Sequence, residues 1–190
     1  MRNIFIIHGS YGHSKENWFP WLKTELEKLG NKVFVPDFPT PKNKEGHSLD
    51  LWLKKFDKYK KHINSKTIFI AHSRGCNFVI QLLPRLNLKI DSLFFVGPFF
   101  DYDQWRPTFY KDYDSFQAEP YLWKYVRKLT NYIEIFQSTN DVITLSEGQF
   151  VADKLNAKIN IIKNAGHFNS ATDKKFKKFP LLLNNIKKYL

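Results

Sequence analysis

Thr67-Ile68-Phe69-Ile70-Ala71-His72-Ser73-Arg74-Gly75 sets a β-branched and aromatic run directly against a serine, a cation and a glycine, after which apolar residues recur at helical spacing to Leu86. The run suits a strand buried on both faces, and Arg74 to Leu86 suits a helix. A strand that enters a helix with no spacer makes a sharp turn. Ala71 and Gly75, two residues before and two after Ser73, are the small side chains such a turn tolerates. Ala71 stands where glycine is more usual, but the steric requirement is only smallness. The turn strains the backbone at Ser73, lifts its hydroxyl clear of the sheet and aims the first helical N–H groups, that of Arg74 among them, at one point. The competing reading is plainer: a serine ahead of a helix is often just an N-cap.

Outward from this turn, apolar runs and amphipathic stretches alternate along the whole chain, the pattern of a parallel α/β sheet with right-handed crossovers. Strands are expected at Asn3 to Ile7, Lys32 to Val35, Thr67 to Ala71, Ser92 to Val96, Tyr132 to Phe136 and Lys158 to Ile162, all of a kind that suits burial on both faces. Helices are expected at Trp18 to Leu29, closed by Gly30; at Leu49 to His62, capped by Ser48; at Arg74 to Leu86; and at Ser146 to Leu155. A last helix starts at Pro180 and runs to Leu190, with Leu183, Ile186 and Leu190 facing the sheet. Residues 97–130 break the rhythm. They exceed a single crossover, are rich in aromatics, and follow the fourth strand on the edge where open α/β sheets place ligands, so a lid or pocket wall is one reading. Packing of these rings onto the body is the expected role for most of them.

Composition narrows the functional classes. The chain has 190 residues with 43% hydrophobic and 25% charged, which fits one domain spanning residues 1–190. A chain of this size buries roughly 70% of its unfolded surface and needs no disulfide or structural metal. Cys76 is the single cysteine, so no internal disulfide can form and a reducing, cytoplasmic setting is expected. No apolar run is long enough to span a bilayer, and no membrane partner is expected. The net charge of +12 raises nucleic acid as a partner. However, 25 of the 30 cations are lysines, scattered beside apolar residues at helical spacing, which reads as a solvated surface. Nucleic-acid binding is accordingly disfavoured.

An isolated serine hydroxyl is a weak nucleophile; it needs an imidazole to take its proton and a carboxylate to orient that imidazole. Asp141, in Ser138-Thr139-Asn140-Asp141, follows the fifth strand, and His167, in Asn164-Ala165-Gly166-His167-Phe168, follows the sixth. Both therefore fall at the sheet edge that carries Ser73, in the chain order serine, acid, histidine that accompanies such a turn. Singly, Asp141 reads equally as a turn residue and His167 as a loop histidine; the joint placement favours chemistry. After the first strand, His8-Gly9-Ser10 can bring the Ser10 amide to the same edge as a second oxyanion donor. Gly9-Ser10-Tyr11-Gly12 lacks the pattern of a phosphate loop. His8 and His72 are expected to pack internally, His13 sits in the first loop, and His47 and His62 are expected on solvated positions. Cys76 is expected as a buried small apolar residue.

The chain resembles the small α/β-hydrolases typified by retinoblastoma-binding protein nine and its bacterial relatives. The resemblance is carried by the strand leading into His8-Gly9, by Trp18 and Trp21 ahead of Lys23-Thr24-Glu25-Leu26, by Pro36-Asp37-Phe38-Pro39 and by Trp52. It continues through Ile70 to Gly75, Ser138 to Asp141, Val151-Ala152-Asp153-Lys154-Leu155, Gly166-His167-Phe168 and Phe179-Pro180. It implies a three-layer α/β-hydrolase fold with a six-stranded, mostly parallel sheet in the order 2-1-3-4-5-6, lacking the first two strands of larger relatives. It also implies a serine hydrolase of small esters or aminoacyl-type amides that uses no cofactor and no metal, with Ser73, Asp141 and His167 at the triad positions. Trp18, Trp21, Phe99 and Phe168 are the expected substrate-binding residues. Arg74 departs from the small or neutral residue usual after the nucleophile. Its side chain is expected to point into solvent, the other reading being attraction of an anionic substrate. A protein that keeps this fold as a binding or interaction module, with the chemistry idle, is the alternative from a different class; no particular protein partner is indicated.

Overall fold

The computed structural model describes residues 1–41, 47–100, 115–117 and 120–190. In chain order its elements are β1 (Asn3–Ile7), α1 (Phe19–Lys28), β2 (Lys32–Phe34), α2 (Leu49–Phe56), β3 (Ile68–His72), α3 (Arg74–Leu86), β4 (Ile90–Val96), α4 (Trp123–Lys128), β5 (Thr130–Ser138), α5 (Leu145–Leu155), β6 (Lys158–Ile162) and α6 (Pro180–Ile186). The six strands form one sheet in the order β2-β1-β3-β4-β5-β6, and every neighbouring pair is parallel.

Side chains alternate across the strands, and the central strands are apolar on both sides. Phe5, Ile7, Phe69, Ala71, Leu93 and Phe95 enter one core cluster with Trp52, Phe56, Phe78 and Val151. Ile4, Ile6, Ile68, Ile70, Phe94 and Val96 enter the other, with Trp18, Leu22, Leu26, Leu182 and Ile186. Helices thus cover both faces, giving three layers: α1 and α6 on one side and α2, α3 and α5 on the other. Burying each large aromatic or aliphatic side chain fully contributes about 1.5–3 kcal/mol before conformational entropy is charged against it. β6 departs from the expected two-sided burial. It lies at the sheet edge and leaves Ile161 exposed.

Local signals account for most boundaries. Gly30 follows α1 at φ +80°, and the Ser48 hydroxyl caps α2 by accepting from the Leu51 N–H. The long helix expected from Leu49 to His62 is α-helical only to Phe56 and then tightens into a 3₁₀ segment, Asp57–His62. The last helix likewise changes to a 3₁₀ turn at Lys187–Tyr189. That change shifts the register: Leu183 and Ile186 are buried as expected, whereas Leu190 is exposed.

The aromatic-rich stretch yields α4, a helix the periodicity did not announce. Around it Phe100, Phe116 and Val126 join the core, with Tyr121 and Trp123 packed against it. The part of the expected lid at residues 101–114 and 118–119 lies outside the described residues. Among the described residues, no helix is long and apolar enough to cross a membrane.

Candidate active site

The site gathers at the carboxyl ends of the strands. Ser73, between β3 and α3, has φ 53° and ψ −122°, a conformation that side chains beyond glycine rarely adopt. Its hydroxyl makes no cap hydrogen bond to α3, so the plain N-cap reading fails. The Ser73 N–H instead donates to the Val96 carbonyl at 2.9 Å, which ties the turn to β4. Gly75 shows why the turn needs a residue without a side chain. A Cβ there would stand 2.6 Å from the His8 carbonyl oxygen and 2.7 Å from that of Ile7, inside contact distance of backbone that cannot yield.

His167 Nδ1 donates to Asp141, with Oδ1 at 2.8 Å and Oδ2 at 3.1 Å. The Asp141 side chain has no accessible surface and the His167 side chain is 16% accessible, so the pair is shielded behind while the ring keeps an open edge. Asp141 Oδ1 also accepts from the Ile143 N–H at 2.9 Å, which fixes the carboxylate plane. The loop after β6 is stitched to the loop after β5 by three consecutive side chains. Thr139 Oγ1 accepts from the Asn164 N–H, Ser138 Oγ from Ala165 N–H and Asn140 Oδ1 from Gly166 N–H, at 3.1, 2.9 and 2.8 Å. Sequence reasoning picked out Asp141 and His167 but missed this stitching. The run of three short polar side chains just before Asp141 was its only trace.

Ser73 and His167 line one cleft of about 320 Å³ together with Gly9, Ser10, Glu16, Asn17, His72, Asn169 and Ala171. Ser10 and Ser73 thus share this cleft, while Arg74 is not among its lining residues. Glu16 was missed; burial pushes its carboxyl above the usual range. Trp18, Trp21 and Phe168 are not brought to this cleft. Trp18 has no accessible surface and donates its indole N–H to the Phe168 carbonyl at 3.2 Å. Phe168 is equally buried, stacked on Phe179, and Trp21 packs against the same cluster. Trp18 and Phe168 have no free face for a ligand, and Trp21 is half-buried against their cluster. Phe99 is half-buried just past β4.

The neighbouring histidines are structural. His8 Nδ1 donates to the Gly9 carbonyl at 2.8 Å while Nε2 accepts from the Phe38 N–H at 2.9 Å, a pairing that requires the neutral ring. Burial lowers its pKa accordingly. Burial, then the nearby His167, lowers His72 to about 3. His47, expected in solvent, is fully buried against Tyr11 and Trp52, and burial followed by the Arg74 charge lowers it to about 3. His62 is half-buried and stacked on Phe34. Cys76 is buried with its thiol pushed up by burial, as fits an inert core residue.

Arg74 also departs from expectation. Its side chain does not extend into solvent; the residue is 2% exposed, Nε donates to Ser10 Oγ at 2.7 Å, and the guanidinium lies 5.1 Å from the centre of the Phe116 ring. A polar partner and a ring face on the body draw it inward. Among the described residues, no three His, Cys, Asp or Glu side chains are grouped to hold a metal ion.

Known proteins share this architecture. The Bacillus subtilis (strain 168) putative hydrolase YdeN is 24% identical over 191 residues, covering 99% of this chain and 96% of its own. The Rattus norvegicus serine hydrolase RBBP9 is 25% identical over 169 residues, covering 87% and 86%. The crystal structure of the B. subtilis ydeN gene product superposes with a TM-score of 0.85 at 22% identity, over 100% of this chain and 98% of that one. Est1E from Butyrivibrio proteoclasticus, with ferulic acid bound, superposes at 0.67 with 19% identity, over 97% and 90%. The fold is that of the α/β-hydrolases. A family model described as serine hydrolase matches residues 4–188, nearly the whole of the sheet and its helices, and the chain belongs to the serine hydrolase family.

Proposed function

We propose that the protein hydrolyses small carboxylic esters or aminoacyl-type amides through an acyl-enzyme, with Ser73 as nucleophile, His167 as general base and Asp141 as the group that orients His167. The observation that carries this reading is the His167 to Asp141 bond of 2.8 Å behind a cleft that Ser73 also lines. A carboxylate on Nδ1 leaves Nε2 of the neutral ring unprotonated and able to accept the Ser73 proton. In this geometry the ring's hydrogen bonds run to Asp141, and its approach to the Ser73 hydroxyl is expected to close in the Michaelis complex.

In acylation, Ser73 Oγ attacks the substrate carbonyl and its proton passes to His167. The tetrahedral oxyanion accepts from the Ser10 and Arg74 backbone N–H groups, and the leaving alcohol or amine departs with the proton from His167. Water then repeats the sequence against the acyl-serine, releasing a carboxylic acid and restoring the serine. The strained Ser73 backbone supports the reading, because φ 53° places the residue at the head of α3 with its hydroxyl free of any cap bond to that helix. The single buried Cys76 fits a reducing compartment, and the cytoplasm is the proposed location.

A fluorophosphonate probe tests the reading. Labelling of the wild-type protein and its loss in Ser73→Ala, together with turnover of short p-nitrophenyl esters by the wild type alone, are the expected results. A folded wild-type protein that neither labels nor turns over esters or aminoacyl amides would reassign the fold to a binding role.

A further inference from the structure

We infer that the Arg74 side chain is a positioning residue that braces the oxyanion hole, by tying the loop that carries one proposed donor to the helix end that carries the other. The inference rests on the proposed assignment of the Ser10 and Arg74 N–H groups as oxyanion donors. Those two residues belong to elements far apart in the chain, and their side chains are bonded directly to each other, Arg74 Nε to Ser10 Oγ at 2.7 Å.

The loop after β1 needs such a tie. It contains Gly9 and Gly12, turns at Tyr11 with φ 54°, and leaves Ser10 exposed to solvent. It also runs against the elbow: a Cβ on Gly9 would stand 2.9 Å from Ser73 Cβ. On one flank His8 holds the Gly9 carbonyl and is itself held by the Phe38 N–H. On the other flank the Arg74 guanidinium holds Ser10. The Ser10 peptide is therefore pinned from both sides, with its N–H set relative to the N–H of Arg74 by one trigonal nitrogen.

Arg74 occupies an unusual place for a cation. It is the first residue of α3, where the positive end of the helix dipole disfavours a cation, and it is withdrawn from water. The Ser10 bond and the Phe116 ring offset part of that cost. Aromatic support at 5.1 Å also fixes the guanidinium plane, so Nε points along one direction. Since misplacing a catalytic donor by about 1 Å costs up to about a hundredfold in rate, a rigid link between the two donors affects turnover more than binding.

The test compares Ser10→Ala, Arg74→Met and the double variant with wild type, reading fluorophosphonate labelling rates and kcat and KM on a short p-nitrophenyl ester. Ser10→Ala removes one oxygen from an exposed residue and is expected to fold even if Arg74→Met does not. Each single variant is expected to lose about tenfold in kcat and in labelling rate with KM changed less than about twofold, and the double variant to lose no more than either single one. Ser10→Thr, which keeps the hydroxyl, is expected to recover most of the loss. Wild-type labelling with Ser10→Ala at the wild-type rate would overturn the brace and leave the serine-hydrolase reading standing, as would losses that multiply in the double variant. Absence of wild-type labelling would overturn that reading and the brace with it.

Discussion

His72 Nε2 donates to the main-chain carbonyl of His167 at 2.8 Å, so the residue just before the elbow serine holds the backbone of the residue proposed as base. The two rings lie 4.7 Å apart, and burial keeps His72 neutral, which makes it a fixed donor instead of a second base. His72→Phe removes the donor and leaves a carbonyl without its partner. The expected outcome is a fall in kcat of about tenfold with little change in KM, whereas His72→Gln, which retains an N–H donor, loses less. Steady-state ester kinetics on both variants check it.

Asp141→Asn tests the orientation of the imidazole. The Ile143 N–H fixes Oδ1 as an acceptor, so the amide oxygen keeps the 2.8 Å contact with His167 Nδ1, the new amide N–H stands at the Oδ2 position 3.1 Å away, and the negative charge is lost. The imidazolium formed when His167 takes the Ser73 proton then has no carboxylate to stabilise it. A loss of about a thousandfold or more in kcat is expected, with the melting temperature nearly kept. An activity loss below tenfold would remove Asp141 from its proposed role.

Acid stability follows from the buried histidines. Burial lowers His8, and it lowers His47 and His72 to about 3 from the ordinary value of 6.5, so the folded protein holds all three neutral while the unfolded chain binds protons. The contribution of His47 and His72 is fully present above pH 6.5 and is lost as pH falls toward 3, and that of His8 is lost in the same direction. Each group titrating in this way adds a slope of about 1.4 kcal/mol per pH unit. Denaturant melts between pH 7 and pH 5 are expected to show this loss, and His47→Phe is expected to remove one proton's share of it.

Gly97 lies at φ +54°, and a Cβ there would stand 3.2 Å from Asp141 Oδ2 and from His167 Nδ1. Gly97→Ala combines backbone strain with pressure on the pair. A stability loss of about 1–3 kcal/mol is expected from chemical denaturation, together with a drop in kcat that exceeds any change in KM. Wild-type kinetics in a destabilised variant would show that the pair tolerates displacement.

Most of the sheet was legible because its strands are short runs of one kind of residue. β1 and β6 match their expected bounds, and α3 does too, since Ser73 and Asn87 punctuate it at both ends. The nearness of Asp141 and His167 was legible from their positions after neighbouring strands of a parallel sheet. α4 was not, because six residues burying only Val126 give no period to detect. Arg74 and His47 were misjudged for a different reason. Their burial depends on partners distant in sequence, Ser10 and Phe116 for one, Tyr11 and Trp52 for the other, which local polarity does not encode. Aromatic residue type likewise did not say that Trp18 and Phe168, expected to bind substrate, would be buried in the core.

Every strand pair here is parallel, and that has a consequence for how activity is acquired. Parallel neighbours cannot be joined by a hairpin, so each pairing waits for a long excursion of chain to return, and assembly is dominated by non-local contacts. Ser10, Ser73, Asp141 and His167 are delivered by four different strands. No fragment ending before β6 holds all four, so the proposed turnover would report on a completed sheet.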